Sequence, residues 1–170
     1  MTDLYSNPDL VRSLFFYKDG NLYWKKQTAN NLKAGSKAGG LFDSGERSGS
    51  KRYKVGYDKK IYRMHRLIYL MHHNTLPKYI DHIDGNPLNN RIENLREATL
   101  SQNAWNMGLS KRNKSGVKGV LWDKSREKWL ARCMTNGKDK HLGHFTDLED
   151  AKMAVEKYRA EVHGEFARNK

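Results

Sequence analysis

The 170-residue chain predicts an α+β fold in two parts. The first is a set of β-hairpins leading into a short strand–loop–strand–helix unit. The second is a three-stranded antiparallel sheet with one packed C-terminal helix. Three observations predict this. Alternating, aromatic-rich runs are punctuated by turn pairs such as Asp19-Gly20 and Asn136-Gly137. Thr99 to Gln102 and Thr146 to Glu149 have the form of capping boxes, which open helices. Residues 108–114 are polar and basic and read as a linker, giving domains at 1–107 and 115–170.

Taken in order, residues 1–14 predict a short helix, with Leu10, Val11 and Leu14 at helical spacing. FFYKDGNLYW predicts a hairpin turning at Asp19-Gly20. Residues 27–50, with AGSKAGG and SGERSGS, lack periodicity and read as a mobile loop. No Gly-Lys-Ser/Thr follows a strand there, so a phosphate loop is excluded. Residues 52–62 alternate around Tyr57-Asp58, a second hairpin. RMHRLIYLMHHN predicts a helix, with Leu67, Ile68, Leu70 and Met71 on adjoining rows and Pro77 ending it. His72 and His73 are adjacent and cannot share a helix face, which argues against a metal pair.

Then YIDHI predicts a strand, Asp84-Gly85-Asn86-Pro87 a turn, and LREAT a second strand. The cap at Thr99 puts Asn103 in the first turn of the next helix. Beyond the linker, GVKGVLW, KWLARCM and KHLGHF form a meander. Ala151, Ala154, Val155, Tyr158 and Val162 keep one apolar face through the last helix. Period two separates Trp129, Ala131 and Cys133 from Leu130, Arg132 and Met134, and places His141 and His144 on opposite faces.

Charge bounds the function. Lys plus Arg total 32 against 19 Asp plus Glu, a net of +13. Residues 1–108 carry +7 and residues 109–170 carry +6, so both halves suit one polyanion. Nucleic acid is the first candidate partner. A membrane surface fits less well, because no long basic amphipathic helix is evident; a merely basic protein is the plain alternative. The single cysteine, Cys133, excludes an internal disulfide and a Cys-pair zinc site. There is no apolar run of about 18 residues, so a cytoplasmic protein is expected.

The stretch from Tyr79 to Asn106 concentrates an Asp-His pair and several asparagines. Phosphodiester hydrolysis needs a base for water, a cation for the phosphate charge, and fixed geometry for both. Histidine suits the base, and Asp and Asn oxygens suit Mg²⁺ or Mn²⁺. Asp81, His82, Asn94 and Asn103 are the candidates. One difficulty is visible: Asp81 and His82 are neighbours on a strand, so their side chains should diverge.

DHIDGNPLNNRIENLREATLSQNAWN closely resembles the HNH nuclease motif of phage and intron-encoded homing endonucleases. The likeness covers roughly residues 50–107. It implies a ββα-metal unit in which His82 is the general base, Asp81 a metal ligand, Asn94 the asparagine orienting loop and histidine, and Asn103 the second metal ligand. Asn86, Asn89 and Asn90 are read as turn residues. SGVKGVLW, KWLARC, LGHF and the alanine-rich helix, from Ser115 to Asn169, resemble an AP2 domain. That likeness implies DNA contacts from Lys118, Trp122, Lys124, Trp129 and Arg132, while His65 and Arg66 are candidate backbone contacts.

The expected function is a metal-dependent endonuclease on double-stranded DNA, of the strand-nicking homing type, acting in a host cell as a monomer with one Mg²⁺ or Mn²⁺. Two alternatives stand beside it. One is a non-catalytic DNA-binding regulator with a retained HNH fold; the other is a restriction-type or structure-selective HNH nuclease.

Overall fold

A computed structural model describes residues 3–27, 32–43 and 51–169. The chain divides into two units, Met1–Glu97 and Ala98–Lys170. The boundary falls just before the last predicted helix of the HNH-like stretch.

In the first unit a 3-10 turn, Leu4–Ser6, precedes α1, Pro8–Leu14. Asn7 caps α1 by accepting from the Leu10 N–H, and Pro8 costs nothing at the first position, where no N–H is needed. Strands β1 (Phe15–Lys18) and β2 (Asn21–Trp24) pair as expected. Asp19 and Gly20 both have positive φ, 48° and 77°, the turn that matches strand twist. Strands β3 (Gly40–Asp43), β4 (Lys51–Tyr57) and β5 (Lys60–Arg63) form a second sheet in that order.

β3 corrects the expected featureless loop. The glycine-rich stretch contains a paired strand, and Tyr23 bridges to Lys37. Gly39 explains how: its φ is +77°, and a Cβ there would lie 2.1 Å from the Lys54 carbonyl oxygen. Only glycine lets the backbones approach so closely. The parts of the expected loop at 28–31 and 44–50 lie outside the described residues.

Helix α2, Met64–His73, supplies Met64, Leu67, Ile68 and Leu70 to a core shared with Val11, Phe15, Leu22, Trp24 and Val55. It ends four residues before Pro77. Asn74, left-handed at φ 60°, returns its N–H to the Leu70 carbonyl. Strands β6 (Tyr79–His82) and β7 (Leu95–Ala98) pair as a two-stranded sheet.

The second unit begins with α3, Leu100–Trp105, whose capping box is reciprocal: Thr99 accepts from the Gln102 N–H and Gln102 from the Thr99 N–H. Strands β8 (Val120–Asp123), β9 (Lys128–Thr135) and β10 (Lys138–Phe145) form the predicted meander. Helix α4, Leu148–His163, covers one face, with Val120, Ala131, Ala151 and Val155 at the centre. Its cap is Asp147, not Thr146; the Asp147 carboxylate accepts from the Glu149 N–H at 2.6 Å. A register shift between His141 and Gly143 reverses the expected facing of β10. His141 and His144 therefore share a face, their ring nitrogens 3.3 Å apart, and His144 reaches Asp123 at 3.1 Å.

Candidate active site

The Asp-His pair closes β6, where the chain enters the turn at Ile83-Asp84. Both side chains are buried. They engage different partners, as alternation requires. The two guanidinium nitrogens Nε and Nη2 of Arg96, on β7, each lie 3.0 Å from Asp81 Oδ2. His82 faces α2 and the loop: its ring stands 5.1 Å from that of His65, edge to face, and its Nε2 lies 3.1 Å from Asn90 Oδ1.

The Asn90 contact fixes a tautomer. A carboxamide oxygen only accepts, so His82 Nε2 carries the hydrogen and Nδ1 carries the lone pair. Burial pushes the His82 pKa below its ordinary value; the Asn90 bond raises it, Arg52 lowers it, and Asp84 and Asp81 raise it. The neutral ring is thus the resting form near pH 7, and a neutral ring with its lone pair on a defined nitrogen can take a proton from water.

Asn90 is only 2% exposed. Its position comes from the first hairpin. A Cβ on Gly20 would lie 2.9 Å from the Arg91 nitrogen and 3.1 Å from the Asn90 carbonyl carbon, so the glycine turn abuts this loop. The Tyr17 hydroxyl accepts from the Ile92 N–H at 3.1 Å. The turn reading of Asn90 is therefore corrected: Asn90 holds the histidine.

Asn94 works one step away. Its Oδ1 accepts from the Asp84 N–H at 3.0 Å, and its Nδ2 donates to Asp84 Oδ1 at 2.9 Å and to the Asn89 carbonyl at 2.8 Å. Its own carbonyl receives the Ile83 N–H at 2.9 Å. Asp84 is the hub, also accepting from the Asn86 N–H and Asn89 Nδ2. Partial burial opposes ionisation of its carboxyl, but the bonds from Asn89, Asn86 and Asn94 outweigh it and hold the pKa below the usual value. Sequence reasoning passed over Asp84 and Asn90. The doubled Asn89-Asn90 was the available signal, since one asparagine is enough for the turn.

The expected DNA contacts divide. His65 is 5% exposed, so its ring is not at the surface; it forms the wall behind His82, and burial lowers its pKa to about 3. Arg66 donates to the Pro77 and Lys78 carbonyls and lies over the Tyr5 ring. Arg52 and Arg63 add positive field beside His65.

In the second unit Asn103 sits in the first turn of α3, its N–H bonded to the Thr99 carbonyl. Lys118 turns inward, its Nζ donating to the Trp105 and Met107 carbonyls at 2.6 Å each. Trp122 and Trp129 are cross-strand partners with ring centroids 4.9 Å apart; Trp129 packs on the core while Trp122 is exposed. Lys124 is exposed in the turn after β8. Arg132 is exposed on the other face, 3.0 Å from Asp139. Cys133 is buried, as its strand position predicts.

An HNH endonuclease family matches residues 62–105. The chain is similar to Protein 3.8 of Escherichia phage T7, 42% identical over 120 residues, covering 69% of this chain and 97% of that protein. It is also similar to the uncharacterized HNH endonuclease L560 of Acanthamoeba polyphaga mimivirus, 36% identical over 122 residues. That match covers 70% of this chain and 63% of the relative, so the chain spans less than two thirds of that protein's length. No solved structure matches the chain significantly.

Proposed function

We propose that this chain, whose residues 62–105 match an HNH endonuclease family, is a metal-dependent DNA endonuclease in which His82 is the general base. One observation carries the base assignment: a buried His82 held at Nε2 by Asn90 Oδ1, which places the hydrogen on Nε2 and the basic nitrogen at Nδ1. In the proposed step, water attacks phosphorus, its proton passes to Nδ1, and the bond to the leaving oxygen breaks; solvent protonates that oxygen. The Asp84 and Asp81 carboxylates favour the imidazolium that results. Asn94 acts through Asp84 and the loop, as a positioning residue.

HNH nucleases use a divalent metal ion, and the residues here fit a hard one. Asp81 offers carboxylate oxygen, oriented by Arg96, and Asn103 offers the amide oxygen that the family pattern assigns to the second ligand. Among the described residues no group of three or more His, Cys, Asp or Glu is arranged to hold a metal. Two protein oxygens suit Mg²⁺ or Mn²⁺, which keep several waters. When bound, the ion supplies neutralisation of the phosphate and leaving-oxygen charge.

A single base-and-ligand set cuts one strand, which supports nicking of the homing type. The second unit is proposed to hold double-stranded DNA in the AP2 manner. The meander with one covering helix supports this, as do the exposed Lys124 and, on the face away from the helix, Arg132. No helix among the described residues is long and apolar enough to cross a membrane.

Supercoiled plasmid tests the reading. With Mg²⁺ or Mn²⁺ the wild-type protein should open the circle, and EDTA should stop it. His82→Ala should cost roughly 10²–10⁴ in rate, and Asp81→Ala should lose the metal-dependent cutting. Unchanged nicking by His82→Ala would sink the base assignment.

A further inference from the structure

The open face of the second unit's sheet carries a histidine pair that the nuclease chemistry does not use. On β9, Leu130 and Arg132 flank Ala131, which is fully buried with Ala151 and Val155 of α4. By alternation Leu130 and Arg132 point away from that helix. Their cross-strand partners on β10 are His144 and His141. Leu142 is the extra residue between the two pairings, a bulge that turns both rings to this face.

The pair has the spacing of two ligands on one ion. His141 Nε2 and His144 Nδ1 lie 3.3 Å apart. A hydrogen bond from an N–H is ordinarily about 2.9–3.0 Å long. Two imidazole nitrogens, each about 2.0–2.1 Å from a tetrahedral ion, are about 3.3–3.4 Å from each other. The separation therefore suits a shared ion better than a direct bond.

A carboxylate stands behind the pair. His144 Nε2 lies 3.1 Å from Asp123 Oδ2. A carboxylate only accepts, so Nε2 donates, and in the neutral ring Nδ1 keeps the lone pair. Bonds from the Ser125 hydroxyl, Arg126, the Ser125 N–H and His144 hold the Asp123 carboxyl well below the usual carboxylate range. Such a carboxylate orients a metal-ligating histidine and raises its basicity. His141 is exposed, so its hydrogen can move to Nδ1 and face water, which leaves the Nε2 lone pair for an ion. The neighbouring cations are met locally: Arg132 pairs with Asp139 and Arg126 with Asp123, each at 3.0 Å.

We infer that His141 and His144 bind a zinc-class divalent cation, with Asp123 as the residue that positions His144. Asp123 is bonded to the ring and is not itself a ligand, so the ion has two protein donors. Its remaining positions go to water, as at open zinc sites. Imidazole nitrogens suit Zn²⁺, Ni²⁺ or Cu²⁺, whereas carboxylate and carbonyl oxygens suit Mg²⁺. The site thus takes a different ion from the one proposed for the nuclease centre.

The test uses the full chain, free of any affinity tag and stripped with EDTA, in excess Mg²⁺. Zn²⁺ is titrated by calorimetry and by the imidazole ¹⁵N resonances. One ion should bind, moving His144 Nδ1 and His141 Nε2 while His144 Nε2 stays protonated. His141→Gln and His144→Gln should each weaken Zn²⁺ by about tenfold or more. Asp123→Asn keeps an oxygen acceptor but not the charge and should weaken it about tenfold. His73→Gln, which removes an exposed histidine elsewhere, should bind as the wild type does. Amide spectra of the unbound variants confirm that the sheet is intact; His141, being exposed, is the substitution least able to disturb it. No Zn²⁺ bound at about 1 mM, or unchanged affinity in His141→Gln, overturns the proposal. So does a set of shifts that bypasses the His141 and His144 rings. Plasmid nicking plays no part in these readouts, so the nuclease reading and this one fail separately.

Discussion

Lowering the pH from 7 to 5 should cost the first unit about 2 kcal/mol of stability through His65 alone. The side chain is buried at the start of α2, its ring against His82. Burial lowers its pKa to about 3, and the positive charge of Arg52, Arg63, Arg66 and of His82 whenever that ring is protonated lowers it in the same direction. In the unfolded chain it titrates near 6.5. The folded state therefore disfavours the proton. The stabilisation is fully present above about pH 6.5 and is lost as the pH falls towards 3. Each pH unit in that window is worth about 1.4 kcal/mol, so 6.5 to 5 gives about 2. Urea titrations at the two pH values, followed through amide resonances of α2, measure it. His65→Phe keeps a ring against His82 but cannot titrate. Its loss between pH 7 and pH 5 should be smaller than that of the wild type by about 2 kcal/mol. Equal losses in the two proteins would refute the burial argument, whatever the absolute stability of the variant.

Three other perturbations follow from the same geometry. Arg96→Met removes the guanidinium from a buried carboxylate and should lower the stability of the first unit by about 3 kcal/mol in urea unfolding. Gly39→Ala places a methyl 2.1 Å from the Lys54 oxygen at a positive φ; it should cost about 2–3 kcal/mol and weaken amide protection across β3 and β4. Asn90→Ala should slow single-turnover nicking roughly tenfold to a hundredfold, part of what a positioned base contributes. Asn90→Asp keeps an acceptor oxygen at that place and should restore most of the rate.

What the sequence makes legible is what short range decides. Asp19-Gly20 and Asn136-Gly137 specify their turns through backbone conformations that few other residues adopt. The Thr99 capping box is read within four residues. The misreadings share a different cause. Gly39 looked like one more loop glycine, because the close approach that requires it comes from Lys54. Thr146 and Asp147 are both good caps, and only the path of the chain selects the second. His141 and His144 change facing through a one-residue shift that no alternation pattern announces. Asn90 is the sharpest case. Eight residues separate it from His82, and asparagine serves turns and side-chain bonds with the same atoms. The neighbourhood of Asp81 and His82 was legible from residue types; the partners that set their chemistry were not.

Those partners explain how adjacent residues on one strand can serve one chemistry. Alternation forces Asp81 and His82 apart, and the structure accepts this by giving each its own anchor, Arg96 for the carboxylate and Asn90 for the imidazole. In the proposed reaction, the charge made when His82 takes a proton must then be balanced from elsewhere. His65 cannot do it: it stays neutral at working pH and, if protonated, would repel. Asp84 can, because its hydrogen bonds keep it ionised and its field favours a protonated His82. The same carboxylate accepts from Asn94, Asn89 and the Asn86 N–H. Closing the loop and stabilising the imidazolium are thus one electrostatic arrangement. It also gives Asn94 a physical role that needs no contact with the base: it holds Asp84 charged and in place.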